Sequence, residues 1–211
     1  MHDEDLARWQ RGWSAARGWN AAQRVDDVTV VRVGEPQCRV EYVATERDAA
    51  AAAHLALTDS NPPGTSWLVI ATAEPGRVAR ELLPLEYVRT EWLMKISLPE
   101  QALHPVPAPY AVEVTGGRSV IDVQIYGYGE LAASGRMAVL HTGAVADMIQ
   151  TDPAHRRRGL ARAVMSTLVT TAVARNTTTA HLSASPQGRP LYTSLGWTTL
   201  TPLLVARTAA P

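Results

Sequence analysis

Thr151-Asp152-Pro153-Ala154-His155-Arg156-Arg157-Arg158-Gly159-Leu160-Ala161 has the pattern of a turn that joins a strand to a helix. The preceding run, Ala144–Thr151, is apolar enough for a buried strand. From about Arg158 to Ala174, Leu160, Val164, Leu168 and Ala172 recur near every fourth position, the spacing of a helix. Asp152-Pro153 turns the chain out of the strand. The residues after it can aim consecutive backbone N–H groups at one point in front of the helix. Unpaired amides and the positive end of the helix dipole make that point an anion site. Gly159 and Ala161 matter for what they lack, because a large side chain at either position would stand between the amides and a diphosphate. Three adjacent arginines are by themselves an ordinary solvated surface. A nucleic-acid face would call for a second basic cluster or interleaved aromatics, and the sequence has neither.

Downstream, Thr179–Ser183 reads as a strand and Pro190–Leu195 as a short helix. Terminal strands run through Trp197 and Leu203–Ala206. Upstream, Ser119–Tyr126 and Leu131–Leu140 flank Gly127-Tyr128-Gly129 as a hairpin. The same glycines open Gly127-Tyr128-Gly129-Glu130-Leu131-Ala132, a match to the dinucleotide pattern G-x-G-x-x-A. Asp147 stands about 20 residues further on, where a ribose-binding acid would be expected. Ser134-Gly135 would interrupt the helix that pattern needs, so a nicotinamide-dependent enzyme ranks last among the functions considered. The order β-β-β-α-β-α-β is mixed α+β.

The amino-terminal part has its own α/β pattern. Residues 3–17 form an amphipathic helix, with Asp3, Glu4 and Asp5 at its positive end and Gly18 as its stop. Leu6, Trp9, Trp13 and Ala16 share a face suited to docking. Val28–Val33 and Arg39–Ala44 read as strands, and Asp48 is placed to cap a helix reaching Leu57. Trp67–Ala71 is a short strand, Pro75 begins a helix ending before Pro84, and Tyr87–Leu98 is a further strand. Pro99, Pro105, Pro107 and Pro109 then punctuate the chain and suggest two regions, 1–105 and 106–211.

Arg156-x-x-Gly159-x-Ala161 after a strand resembles the (Gln/Arg)-x-x-Gly-x-(Gly/Ala) signature of the GCN5-related N-acetyltransferases, the GNAT superfamily. Tyr192, followed by Leu195-Gly196-Trp197, resembles that family's terminal Tyr…Leu-Gly-Phe block. The likeness spans roughly residues 118–206. It implies a twisted mixed sheet split by a cleft that holds acetyl-CoA, with no metal. It implies that the pantetheine arm pairs with the strand at Ile149-Gln150-Thr151, and that an amide near Ile149 polarises the thioester carbonyl. Arg157, Arg158, Gly159, Leu160, Ala161 and Arg162 would cradle the pyrophosphate. Tyr192 would protonate the departing thiolate, and Ser185 falls where many members carry a cofactor-contacting Asn. Thr179–Ser183 offers no Glu as general base. Asp147 is the nearest acid, and strand alternation would put it on the face of Ile149. The implied reaction is direct transfer of an acetyl group from acetyl-CoA to a primary amine. A CoA-binding sensor or scaffold without turnover is the second reading. Residues 1–105 are expected either to cover the acceptor with the helices at Asp48–Leu57 and Pro75–Leu83, or to form a degenerate GNAT-like half. The degenerate half is preferred, because it lacks R-x-x-G-x-A.

Composition bounds the rest. The chain has 211 residues, 46% of them apolar, and its 20 basic and 20 acidic residues cancel. No whole-chain field therefore draws nucleic acid or an anionic membrane. Cys38 is the single cysteine and reads as a small strand residue rather than a nucleophile. No charged start with an apolar run follows Met1 and no stretch is long enough to span a bilayer, so a cytoplasmic protein is expected. Heavy Ala and Arg use suggests a bacterial coding bias. The expected partner is a small-molecule or peptide amine acceptor, and a homodimer stays open. The other histidines show no metal-ligand spacing.

Overall fold

The computed structural model describes residues 3–141 and 143–210. In chain order the elements are α1 (Asp3–Arg17), β1 (Gln23–Val25), β2 (Val28–Glu35), β3 (Cys38–Thr45), α2 (Ala49–Thr58), β4 (Ser66–Ala71), α3 (Pro75–Glu81) and β5 (Glu86–Ser97). Then follow β6 (Ala111–Thr115), β7 (Val120–Gly127), β8 (Glu130–Leu140), β9 (Gly143–Thr151), α4 (Leu160–Val173), β10 (Thr179–Ala184), α5 (Arg189–Ser194) and β11 (Thr198–Arg207). Among the described residues, the eleven strands join one sheet, in the order β1-β2-β3-β4-β11-β5-β10-β9-β8-β7-β6. Among the described residues no helix is long and apolar enough to cross a membrane.

Period-two alternation sorts the strand residues onto two faces. Tyr42, Ile70 and Leu204 pack with α2 and α3 on one face, and their neighbours Val43, Val69, Leu203 and Val205 face α1 on the other. In the carboxy-terminal half, α4 covers Ile121, Val123, Met137, Ala144 and Ala146. Gly127-Tyr128-Gly129 is the turn of the β7–β8 hairpin, with Tyr128 and Gly129 at positive φ. A strand follows these glycines where the dinucleotide reading needed a helix.

Two βαβ units share an element order: β3-α2-β4-α3-β5 and β9-α4-β10-α5-β11. In each, the first two strands are parallel. Each sends its last strand to the other. β5 lies antiparallel to β10, β11 lies antiparallel to β4, and β5 and β11 pair at the centre. The proline cluster therefore divides the chain, while the sheet runs on through both halves. Two short elements were not read from sequence. β1 is three exposed residues, and β6 is an exposed edge strand following the prolines. Asp48 does sit at the N-cap of α2, but its carboxylate takes the Thr45 hydroxyl at 3.0 Å and makes no capping bond.

Candidate active site

The two parallel pairs differ in how far they stay together. β3 and β4 remain paired from Val40↔Ser66 to Thr45↔Ala71. β9 and β10 pair only from Gly143↔Thr179 to Val145↔His181 and then separate. At the point of separation β9 is bulged. Met148 has φ 56°, and the β8 register jumps from Arg136↔Asp147 to Ser134↔Gln150. A bulge shifts every later side chain to the other face. Asp147 accordingly faces α1, where Arg17 binds both its oxygens at 2.6 and 3.3 Å. Ile149 packs with the α4 core instead. The expectation that Asp147 and Ile149 share a face is thus corrected, because the extra residue breaks the alternation it relied on. Gly135 gives the bulge room: a Cβ there would lie 2.5 Å from Val164 Cγ1 and 2.6 Å from Ile149 Cδ1.

Beyond β9 the chain makes a short helical turn. Asp152 caps it by accepting the Ala154 N–H at 2.8 Å. Arg157 (φ 64°) and Gly159 (φ 81°) are left-handed, and Gly159 is the N-cap of α4. The backbone N–H groups of Arg157, Arg158, Gly159, Leu160, Ala161 and Arg162 have no acceptor among the described residues. A Cβ on Gly159 would meet nothing within 4 Å, so the space before the helix is open. The Arg158 guanidinium folds back onto the Tyr110 hydroxyl at 2.8 Å, and that hydroxyl also bonds buried His155 at 3.0 Å. Gly127 makes space for this group, since a Cβ there would stand 2.3 Å from the Tyr110 ring. The corresponding connection between β3 and α2 is Glu46-Arg47-Asp48. Its acids and the absence of glycine make it unfit for a diphosphate.

A cavity of about 290 Å³ opens where β9 and β10 separate. Met148, Ile149, Gln150, Ser183, Ser185 and Tyr192 line one end of it. Thr151 ends the same strand, next to the Asp152 turn. Ser185 is exposed and accepts the Gly188 N–H at 3.1 Å, which shapes the start of α5. Tyr192 is buried, with its ring edge-on to Trp197, and burial together with the nearby Asp147 charge raises its pKa well above the ordinary phenol range. Leu195 and Trp197 are core residues, and Gly196 (φ 95°) makes the turn between them. Trp197 anchors the block by donating its indole N–H to buried Gln101 at 2.9 Å.

The other end of the cavity comes from α1 and the amino-terminal half: Trp9, Trp13, Arg17, Glu41, Arg89 and Glu91. The helix over the site is therefore α1, whereas α2 and α3 lie on the opposite face. Sequence reasoning missed Glu41. Its signal was a carboxylate in the run Val40-Glu41-Tyr42-Val43-Ala44, whose members are all buried. Burial and the Glu91 charge raise the Glu41 pKa to about 8, against the opposing pull of Arg17 and Arg89. Burial first, then Glu41 and Glu35, push the Cys38 thiol up to about 12, so it stays protonated and is no nucleophile.

Residues 120–207 match the family described as "Acetyltransferase (GNAT) domain". No curated protein matches the chain. Among solved structures, a GCN5-related N-acetyltransferase from Kribbella flavida superposes with a TM-score of 0.70 at 14% identity, over 98% of this chain and 96% of its own. A putative GNAT-family acetyltransferase from Novosphingobium aromaticivorans gives 0.63 at 16% identity over the whole of both chains. A tandem GNAT protein from the clavulanic acid biosynthesis pathway gives 0.54 at 13% identity, over 100% of this chain and 96% of its own. Residues 120–207 thus match a GNAT acetyltransferase domain, and the chain shares its fold with GNAT-type structures along its whole length.

Proposed function

We propose that the protein is an N-acyltransferase that moves an acetyl group from acetyl-CoA to a primary amine by direct attack. The observation that carries this reading is the parting of β9 and β10 next to six unsatisfied amides at the start of α4. A pantetheine arm needs an unpaired strand edge, and a diphosphate needs amide donors without intervening side chains. In this reading Ile149, Gln150 and Thr151 pair with the arm, and Arg157 to Arg162 hold the pyrophosphate. The Ile149 amide polarises the thioester carbonyl. Ser185 shapes the cofactor-side wall, and Tyr192 delivers a proton to the sulfur. The bound thioester supplies an activated acyl group, and the protein supplies position, an oxyanion donor and an acid. Asp147, bound on both oxygens by Arg17, fixes α1 over the cavity.

Residues 1–105 are read as a GNAT-like half that has lost its cofactor site. The shared element order supports this, as do the closed β3–β4 pair and the acidic turn before α2. The experiment is release of CoA thiol from acetyl-CoA with a broad panel of primary amines. Amine-dependent release supports the transferase. Tight CoA binding without release on any amine supports a CoA-binding sensor instead.

A further inference from the structure

Three acidic side chains reach the cavity from the sheet: Glu41 on β3, Glu91 on β5 and Asp147 on β9. Two are already matched. Arg17 holds Asp147 at 2.6 Å, and Arg89 holds Glu91 at 2.7 Å. Glu41 has no arginine within salt-bridge distance among the described residues. It is 6% exposed, and its Oε2 is buried without a hydrogen-bond partner. A buried carboxyl with an unused oxygen is costly unless something completes it. Trp9 and Trp13, stacked at 5.3 Å between centroids, border the same space.

We propose that Glu41, contributed by the half that has no cofactor site, receives the protonated amine of the acceptor and takes its proton before acetyl transfer. This rests on the transferase reading above, and it specifies the acceptor as a primary ammonium with an apolar or aromatic body. The charged groups that act on Glu41 are Glu91 and Arg89 of β5 and Arg17 of α1; Glu41 and Glu35 of β2 both act on Cys38, and Asp147 of β9 lines the same cavity. With the two arginines bound to other acids, an arriving ammonium finds one free carboxyl. A base that titrates near the working pH suits that task. One ammonium proton passes to the Glu41 carboxylate. The freed nitrogen pair then forms the N–C bond as the C–S bond breaks. The Tyr192 hydroxyl protonates the sulfur and is restored by the second proton that the new amide nitrogen sheds. Glu41 keeps the proton it took, which restores the protonated state it had before the ammonium displaced its proton to solvent on binding.

The test is calorimetric titration of the CoA-saturated protein at pH 7 with ethylamine, phenethylamine and tyramine, in two buffers of different ionisation heat. At pH 7 the empty site holds Glu41 largely protonated, so an ammonium must displace a proton on binding. We expect proton release with at least one amine. In Glu41→Gln we expect that release to be absent and the amine to bind about tenfold more weakly or worse. CoA affinity should be the same in both proteins. Binding without proton release in the wild type overturns the proposal even if the variant does not fold, as does failure of all three amines to bind. Unchanged amine affinity in a folded Glu41→Gln protein overturns it while leaving the transferase reading intact. Loss of CoA binding by the wild type would instead sink the transferase reading on which it stands.

Discussion

Tyr192 and Glu41 sit at opposite ends of one cavity and are tuned in the same direction, toward keeping their protons. For Tyr192 this suits an acid. Tyr192→Phe retains the ring and its packing against Trp197, so CoA affinity should stay nearly constant. General acid catalysis contributes ~10²–10⁴-fold, and thiolate leaves fairly well unprotonated, so turnover should fall by about 10²-fold. Thiol-release assays on both proteins measure this, and equal rates would remove Tyr192 from the mechanism. For Glu41 the same tuning has a consequence for stability. The folded chain keeps that proton to about pH 8, whereas the unfolded chain loses it near the ordinary 4.5. Between those values the unfolded state binds fewer protons, so stability declines as pH rises. The wild-type melting temperature should therefore fall between about pH 5 and 8 relative to Glu41→Gln. Parallel melting curves for the two proteins would show that Glu41 titrates normally.

Helix α1 borders the cavity, and three of its residues, Asp5, Gly12 and Arg17, place it. Asp5 accepts from His181 at 2.8 Å and from Lys95 at 2.9 Å, Arg17 binds Asp147, and Gly12 lets the backbone settle onto β9. Burial alone would raise the Asp5 pKa, but its two donors bring it down to about 2. A Cβ on Gly12 would come within 2.2 Å of Val145 Cγ2 and 2.6 Å of Val145 Cβ. In Gly12→Ala the helix gains roughly 1 kcal/mol of intrinsic preference. Overpacking against a stiff β-branched side chain costs about 1–3 kcal/mol. The clash should win, and urea denaturation should show a net loss of up to about 2 kcal/mol; a gain would mean that α1 is not seated as described. The docking face of α1 was legible in its sequence, because Leu6, Trp9 and Ala16 recur at helical spacing and are buried. Most strands were legible too, as runs of β-branched and apolar residues bounded by turn residues. The bulge at Met148 was not. A single non-glycine residue at positive φ leaves no mark in composition, and it moved Asp147 off the face that alternation assigned. Glu41 was also hidden, because only the folded sheet puts β3, which β4, β11 and β5 separate from β10, on the border of the same cavity.

At the scale of the molecule the decisive feature is the exchange of last strands between the halves. β5 precedes the proline cluster yet lies between β10 and β11. Residues 106–211 alone would leave β11 without a partner and β10 paired only with β9 over Thr179–His181, and long unpaired edges invite aggregation. We expect that fragment not to form a soluble monomer; a cooperative melt from it would contradict the exchanged arrangement. No local pattern could have revealed this order, since it depends on pairings between distant segments. In the proposed function, CoA occupies the split between β9 and β10, with its diphosphate on the amides before α4. A ligand bound only to the folded state raises its melting temperature. The most direct measurement is the melting temperature of the wild type and of Gly159→Glu, each with CoA and with NADH. Gly159→Glu places a bulky negative side chain in the open space before the helix. We expect a rise with CoA in the wild type, none with NADH, and none with CoA in a folded Gly159→Glu protein. Equal stabilisation of both proteins by CoA, or stabilisation by NADH alone, would contradict it.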